Sequence, residues 1–205
     1  AADIDLGRPS VRIDRMMEAI EVVQGLWSGE PFNFQGAHYE ISDLTGTPSP
    51  FQPGGPPIIV GGGGKRVLTE AALRADIVGL NASLHAGSVG PETALSALGE
   101  RFLERRNWVE EAAGDRFPDI ELQMNTFMTA VTKTTSEADE MFEGMAPMFG
   151  LSPEQARTIP MVLAGTIGDV CDQLHRYREL YGTSYWVVHD GEVDAMAPVV
   201  AKMND

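Results

Sequence analysis

The residues with the strongest chemical implication are glycines. Gly61, Gly62, Gly63 and Gly64 follow the apolar run "PPIIV" and precede Lys65 and Arg66. A strand-to-helix turn uses one or two glycines, because glycine takes up positive φ without a steric penalty. Four in a row suit a second purpose. Successive backbone N–H groups with no side chains over them converge on an anion such as a phosphate oxygen. A helix beginning near Lys65 adds its unpaired N-terminal N–H groups and its dipole. Lys65 and Arg66 add positive charge in an otherwise acidic chain. The run matches neither GxGxxG nor the P-loop, whose ending is Lys-Ser/Thr. A plain turn and an anion cradle both remain open.

A second candidate is "LAGTIGDV", where Gly165 and Thr166 precede a helix start. Thr166 or Asp169 suits an N-cap; a phosphate contact from Thr166 is the alternative. His189 and Asp190 close an apolar strand-like run, and His85 sits in the loop "NASLHAGSVG". Asn125 and Thr126 fall within a third strand-like run. The histidines His38, His85, His175 and His189 share no metal-ligand spacing, and no GxSxG or Cys/His nucleophile pattern occurs. The lone Cys171 excludes an internal disulfide and reads as a small buried hydrophobe. No acid, base or nucleophile stands out as catalytic.

Composition narrows the partners. The chain has 205 residues and a formal net charge of −15. Nucleic-acid binding needs clustered Lys and Arg to displace counterions, which this balance argues against. No apolar run approaches the roughly 20 residues that cross a bilayer. The chain opens "AADIDLGRPS", without Met and without a signal-peptide pattern; a cytoplasmic location is expected.

The elements that must position these residues follow from periodicity. Residues 11–27 carry Ile13, Met16, Met17, Ile20, Val23 and Trp27 at helical spacing, with Ser10 as cap and Gly29 as stop. "FNFQGAHYEI" predicts a hairpin turning at Gly36, followed by the Pro/Gly-rich loop "TGTPSPFQPGGPP". Beyond it strands and helices alternate. "PIIVGG", "DIVGL", "DIELQMNTFMTAV" and "SYWVVH" are predicted strands. "KRVLTEAALRA", "GPETALSALGERFLERRNWVEEAAG", "SEADEMFEGMAPMFG", "SPEQARTI", "GDVCDQLHRYRELYG" and "DAMAPVVAKM" are predicted helices. Trp27, Trp108 and Trp186 are expected in the core. Such alternation implies an α/β fold with parallel pairing, either a doubly wound sheet or a (β/α)8 barrel. A whole barrel takes about 250 residues and eight strands.

Three stretches in order, "RIDRMMEAIEVVQGLWSGEPFNFQGAHYEI", "PPIIVGGGGKRVLTEAALRADIVGL" and "GTIGDVCDQLHRYRELYGTSYWVV", resemble the bacterial luciferase-like superfamily. "ADIVGL" and the C-terminal "SYWVV…APVVAKM" look most like its coenzyme F420-dependent oxidoreductases. The resemblance implies a (β/α)8 TIM barrel of luciferase-like type, of which this chain matches the C-terminal part, as one domain over residues 1–205 with an insertion hairpin and loop at 30–55. It implies a deazaflavin, coenzyme F420, with FMN as the alternative. It places the cofactor phosphate on Gly61–Gly64, with Lys65 and Arg66 at the helix start and Gly165 and Thr166 as a second contribution. The implied activity is hydride transfer between the reduced deazaflavin and a small organic substrate. An FMN-dependent monooxygenase and a non-catalytic barrel fragment serving in binding or assembly are the alternatives. An incomplete barrel exposes strand edges and should associate, so a homo-oligomer, a dimer, is expected.

Overall fold

A computed structural model describes residues 7–84 and 90–204. The chain divides into two compact units at Ile58. His85 lies outside the described residues.

The first unit is a helix and a hairpin. Helix α1 spans Pro9–Leu26, with Pro9 in its first turn and Arg8, not the expected Ser10, at the N-cap. Proline belongs there, since its missing N–H is one the first turn leaves unpaired. Met17, Ile20 and Val22 are buried, whereas Val23 faces solvent. Strands β1 (Phe32–Gln35) and β2 (Glu40–Leu44) pair antiparallel. The Glu18 carboxylate of α1 accepts from the N–H groups of Ala37, His38 and Tyr39 at 2.9, 2.8 and 3.2 Å. A Cβ at Gly36 would collide with that carboxylate and with the Phe34 ring, so any larger residue must displace them.

The second unit alternates strand and helix, in the order β3 (Ile59–Gly62), α2 (Lys65–Arg74), β4 (Ile77–Leu80), α3 (Pro91–Ser96), α4 (Gly99–Ala113), β5 (Glu121–Asn125), β6 (Met128–Val131), α5 (Thr135–Met145), α6 (Pro153–Ala156), β7 (Val162–Gly165), α7 (Ile167–Tyr181), β8 (Thr183–Val187) and α8 (Val193–Met203). Short 3-10 turns occupy Gly114–Asp119, Ala146–Phe149 and Asp190–Glu192. Four strands form one parallel sheet in the order β3-β4-β5-β8, and β6-β7 form a separate parallel pair. Helices α2, α4 and α7 cover one face of the larger sheet. There Val78, Leu80 and Met124 have no exposed surface, each contributing about 1.5–3 kcal/mol on burial. Ile59, Tyr185 and Val187 on the other face are exposed.

Further expectations change. The expected long helix from Gly90 is two: Leu98 takes an extended ψ of 147° and restarts the helix at Gly99. The apolar phase restarts with it, leaving Leu95 exposed. The expected third strand is also two. Thr126 N–H donates to Val187 O at 2.8 Å, but Phe127 N–H donates to Met161 O at 2.6 Å, so the chain changes partner strand between them. Asn125 and Thr126 therefore stand at a strand end, not mid-strand. Finally "VLAG", expected only as an approach to a cap, is the buried strand β7. Trp27, Trp108 and Trp186 are half-buried, not core. Cys171 is buried among α7's apolar residues, as expected.

Candidate functional site

Parallel pairing aligns the C-terminal ends of β3, β4 and β5, and those ends carry Gly62, Asn81 and Asn125. Asn81 N–H donates to Gly62 O at 3.1 Å, extending the ladder one residue beyond β4. None of Gly61–Gly64 has positive φ, so a positive-φ turn is not what this run provides. Close approach is what most of it provides. A Cβ at Gly63 would stand 2.6 Å from Ala82 O and 2.7 Å from Ser83 N, inside the loop leaving β4. A Cβ at Gly62 would strike Val67 of α2. Gly64 differs: its φ and ψ of −105° and 149° suit any residue, and nothing stands within 4 Å of its Cβ position. It is the N-cap of α2 and supplies no side-chain cap, so no side chain at this position accepts from the first turn.

Behind this loop lies Arg105 of α4, only 4% exposed. Its Nε donates to Gly63 O at 3.0 Å and its Nη1 to Ser96 O at 2.7 Å. Burial pushes its pKa down, partly offset by Glu104; an arginine stays charged regardless. Among the described residues it forms no ion pair with a carboxylate, so its positive charge is held beside the glycine run. Sequence reading missed it. Its signal was one arginine on the apolar stripe of α4, three residues from Phe102 and four from Val109.

Beside the glycines opens a cavity of about 510 Å³, which Gly62, Gly63, Asn81 and Asn125 line at one side. Phe127, Met145, Phe149, Ile159 and Met161 line the other, and no described lining residue ionises.

The remaining candidates are elsewhere. Lys65 Nζ lies over the Trp108 ring, 6.0 Å from its centroid, and Arg66 is exposed. Val162 at the start of β7 lines the cavity, but Gly165 and Thr166 at its other end do not. Gly165 has a φ of +146°, which glycine favours. The Thr166 hydroxyl accepts from Asp169 N–H at 3.2 Å and Thr166 N–H donates to Asp169 Oδ2 at 3.0 Å, a capping box, and the hydroxyl also donates to Oδ2 at 2.9 Å. Donations from Thr166 and Thr135 hold the Asp169 carboxyl below its ordinary range. His189 is exposed, and its N–H donates to Glu192 at 3.3 Å. Glu192, also missed from sequence, accepts from Thr129 N–H at 2.8 Å and Thr126 Oγ1 at 3.4 Å. Burial raises its pKa, but these donors outweigh it and hold the carboxyl low. Among the described residues no cluster of His, Cys, Asp or Glu could hold a metal, and no helix is long and apolar enough to cross a membrane.

A cavity at the C-terminal ends of β3, β4 and β5, beside a glycine run, lies where barrel enzymes of α/β type build their sites. The sequence model of the luciferase-like monooxygenase family matches residues 6–158. The chain belongs to that family, and its fold is the luciferase-like α/β barrel type. It is 36% identical over 104 residues to an uncharacterized protein of Mycobacterium tuberculosis, covering 51% of this chain and 31% of that protein. It is 36% identical over 76 residues to the F420-dependent hydroxymycolic acid dehydrogenase of the same organism, covering 37% of this chain and 21% of that one. Among solved structures, an F420-dependent secondary alcohol dehydrogenase superposes with a TM-score of 0.71 at 16% identity, covering 100% of this chain and 66% of that one. A long-chain alkane monooxygenase superposes with a TM-score of 0.68 at 16% identity, covering 99% and 58%. The chain thus spans less than two thirds of these proteins' lengths. The family and these neighbours are oxidoreductases and monooxygenases, some F420-dependent.

Proposed function

We propose that this chain forms the phosphate-binding side of an F420-dependent oxidoreductase, which transfers a hydride between the reduced deazaflavin and a small organic substrate. The observation that carries the reading is the open N-cap at Gly64, with the Arg105 guanidinium fixed behind Gly63. A phosphate ester fits there. Gly64 leaves room for it, α2 begins there with its dipole directed at it, and Arg105 supplies positive charge that no ion pair among the described residues holds.

Within this reading the Gly63–Gly64 backbone binds the phosphate and Arg105 holds that backbone in place. Lys65 and Arg66 contribute long-range attraction at the helix start. Gly165 and Thr166 contribute to fold stability through the Asp169 capping box. Phe127, Met145, Ile159 and Met161 give the cavity an apolar wall, against which the reacting ring edge and substrate would meet. The bound cofactor supplies the hydride-carrying carbon.

Anaerobic fluorescence titration of the chain with coenzyme F420 and with FMN tests the choice of cofactor. Tighter binding of the deazaflavin is expected. Tight FMN binding with no deazaflavin binding would instead support an FMN-dependent monooxygenase.

A further inference from the structure

The face of the larger sheet opposite α2, α4 and α7 holds a small array of carboxamides beside the cavity. Gly61, Gly79 and Gln123 are register partners on β3, β4 and β5. Gln123 is a polar side chain only 2% exposed. A Cβ at Gly79 would stand 2.8 Å from Gln123 Oε1, and one at Gly61 would stand 3.0 Å from Asn81 Nδ2. The two glycines therefore leave bare backbone on which the amides rest.

The amides are ordered by one bond. Gln123 Nε2 donates to Asn125 Oδ1 at 2.6 Å. That bond engages the oxygen of Asn125 and leaves its Nδ2–H groups, which only donate. Asn125 lines the cavity, so a donor of fixed polarity borders a space whose other walls are mainly apolar. Phe127 and Phe149 close part of that wall edge to face, with centroids 6.1 Å apart at 86°. Asn81 and Thr93 also line the cavity, but Asn125 is the amide whose polarity the Gln123 bond fixes, and few placed polar groups among apolar ones suit an acceptor on an apolar body.

We propose that Asn125 is a substrate-binding residue that donates to the carbonyl oxygen of an apolar ketone, or to the oxygen of the matching secondary alcohol. Gln123 is its positioning residue. The proposal rests on the oxidoreductase reading for its place in a reaction, but the donor array and its ligand preference stand without a cofactor.

Cofactor-free titrations followed by ligand-observed NMR test it, using acetophenone and ethylbenzene, which share a skeleton and differ at the carbonyl. The wild-type chain should bind acetophenone about tenfold more tightly. Asn125→Leu should bind the two equally, with ethylbenzene affinity held within about twofold of wild type. Gln123→Met, which removes the ordering bond, should lose most of the preference. Gln123→Glu accepts instead of donating, so it should turn the Asn125 amide around and favour 1-phenylethanol over acetophenone. A merely structural role for Gln123 would not reverse that order. A preference that survives Asn125→Leu overturns the proposal, as does a wild-type chain that binds neither ligand or binds both equally. Failure of the F420 titration alone would sink the cofactor reading and leave this preference in place. Loss of the preference would leave the F420 titration unaffected.

Discussion

Arg105 Nε donates to the carbonyl oxygen of Gly63 at 3.0 Å, which joins a buried cation on α4 to the loop that ends β3. The same guanidinium reaches Ser96 O at 2.7 Å. One side chain thus fixes the glycine run and the C-terminal end of α3 together. Two carbonyls, not a carboxylate, hold it, so the charge is still available to attract an anion at the loop.

Replacing Arg105 should therefore cost both stability and anion affinity. Arg105→Leu leaves two carbonyls without their donor and should destabilise the chain by about 2–4 kcal/mol. Arg105→Lys keeps the charge but lacks the planar fork; it should recover the affinity for a phosphate ester better than the stability. Urea unfolding and phosphate-ester titration of both variants measure the two effects separately.

The glycines of the run should respond unequally. Gly63→Ala sets a methyl against Ala82 O and Ser83 N and should cost about 1–3 kcal/mol. Gly64→Ala meets nothing within 4 Å and keeps an ordinary φ; its effect should lie between neutral and about 1 kcal/mol of stabilisation. Equal costs in urea unfolding would contradict the distinction. Variants at Gly62 or Gly63 are for the same reason poor probes of binding, because they disturb the fold first.

Thr166 should behave as a cap. Thr166→Val removes the hydroxyl of its capping box with Asp169 and should lower stability by about 1 kcal/mol. Cofactor affinity should stay within about twofold of wild type. A large loss of affinity with unchanged stability would return Thr166 to the phosphate.

Glu192 links the two strand groups through Thr129 N–H and His189 N–H. Its folded-state pKa lies below the ordinary 4.5. A depressed carboxyl stabilises the fold above its unfolded pKa, and that contribution fades as pH falls through the lower folded value. Glu192→Gln should therefore be less stable than wild type at neutral pH, with the gap narrowing below about pH 4.5. Thermal unfolding across that range measures it.

Periodicity was sufficient for the helices that bury a clear stripe. Leu68, Ala71 and Ala72 of α2, and Val170, Leu174, Tyr177 and Tyr181 of α7, are buried as their spacing requires. It was insufficient where tertiary contacts redirect the backbone. Nothing local in "SALGE" announces the extended Leu98, but the position of the next helix residue, Gly99, leaves a Cβ only 2.8 Å from Thr158 O. The change of strand partner between Thr126 and Phe127 likewise depends on Val187 and Met161, both more than thirty residues away. At the site the glycine run was legible by composition. Asn125 was noted only as a polar residue in a strand-like run, and Arg105 and Gln123 were not noted, because their significance lies in which atoms they hold.

The central claim is that the backbone at Gly64 receives the cofactor phosphate, and Gly64→Asp tests it most directly. Aspartate is a good N-cap, and the position has space for it, so the variant should unfold at or above the wild-type temperature. It also places a carboxylate where the phosphate would sit. Anaerobic titration of both chains with coenzyme F420 should show wild-type binding and a loss of at least about tenfold in the variant. Wild-type affinity in a fully folded Gly64→Asp chain would contradict the account.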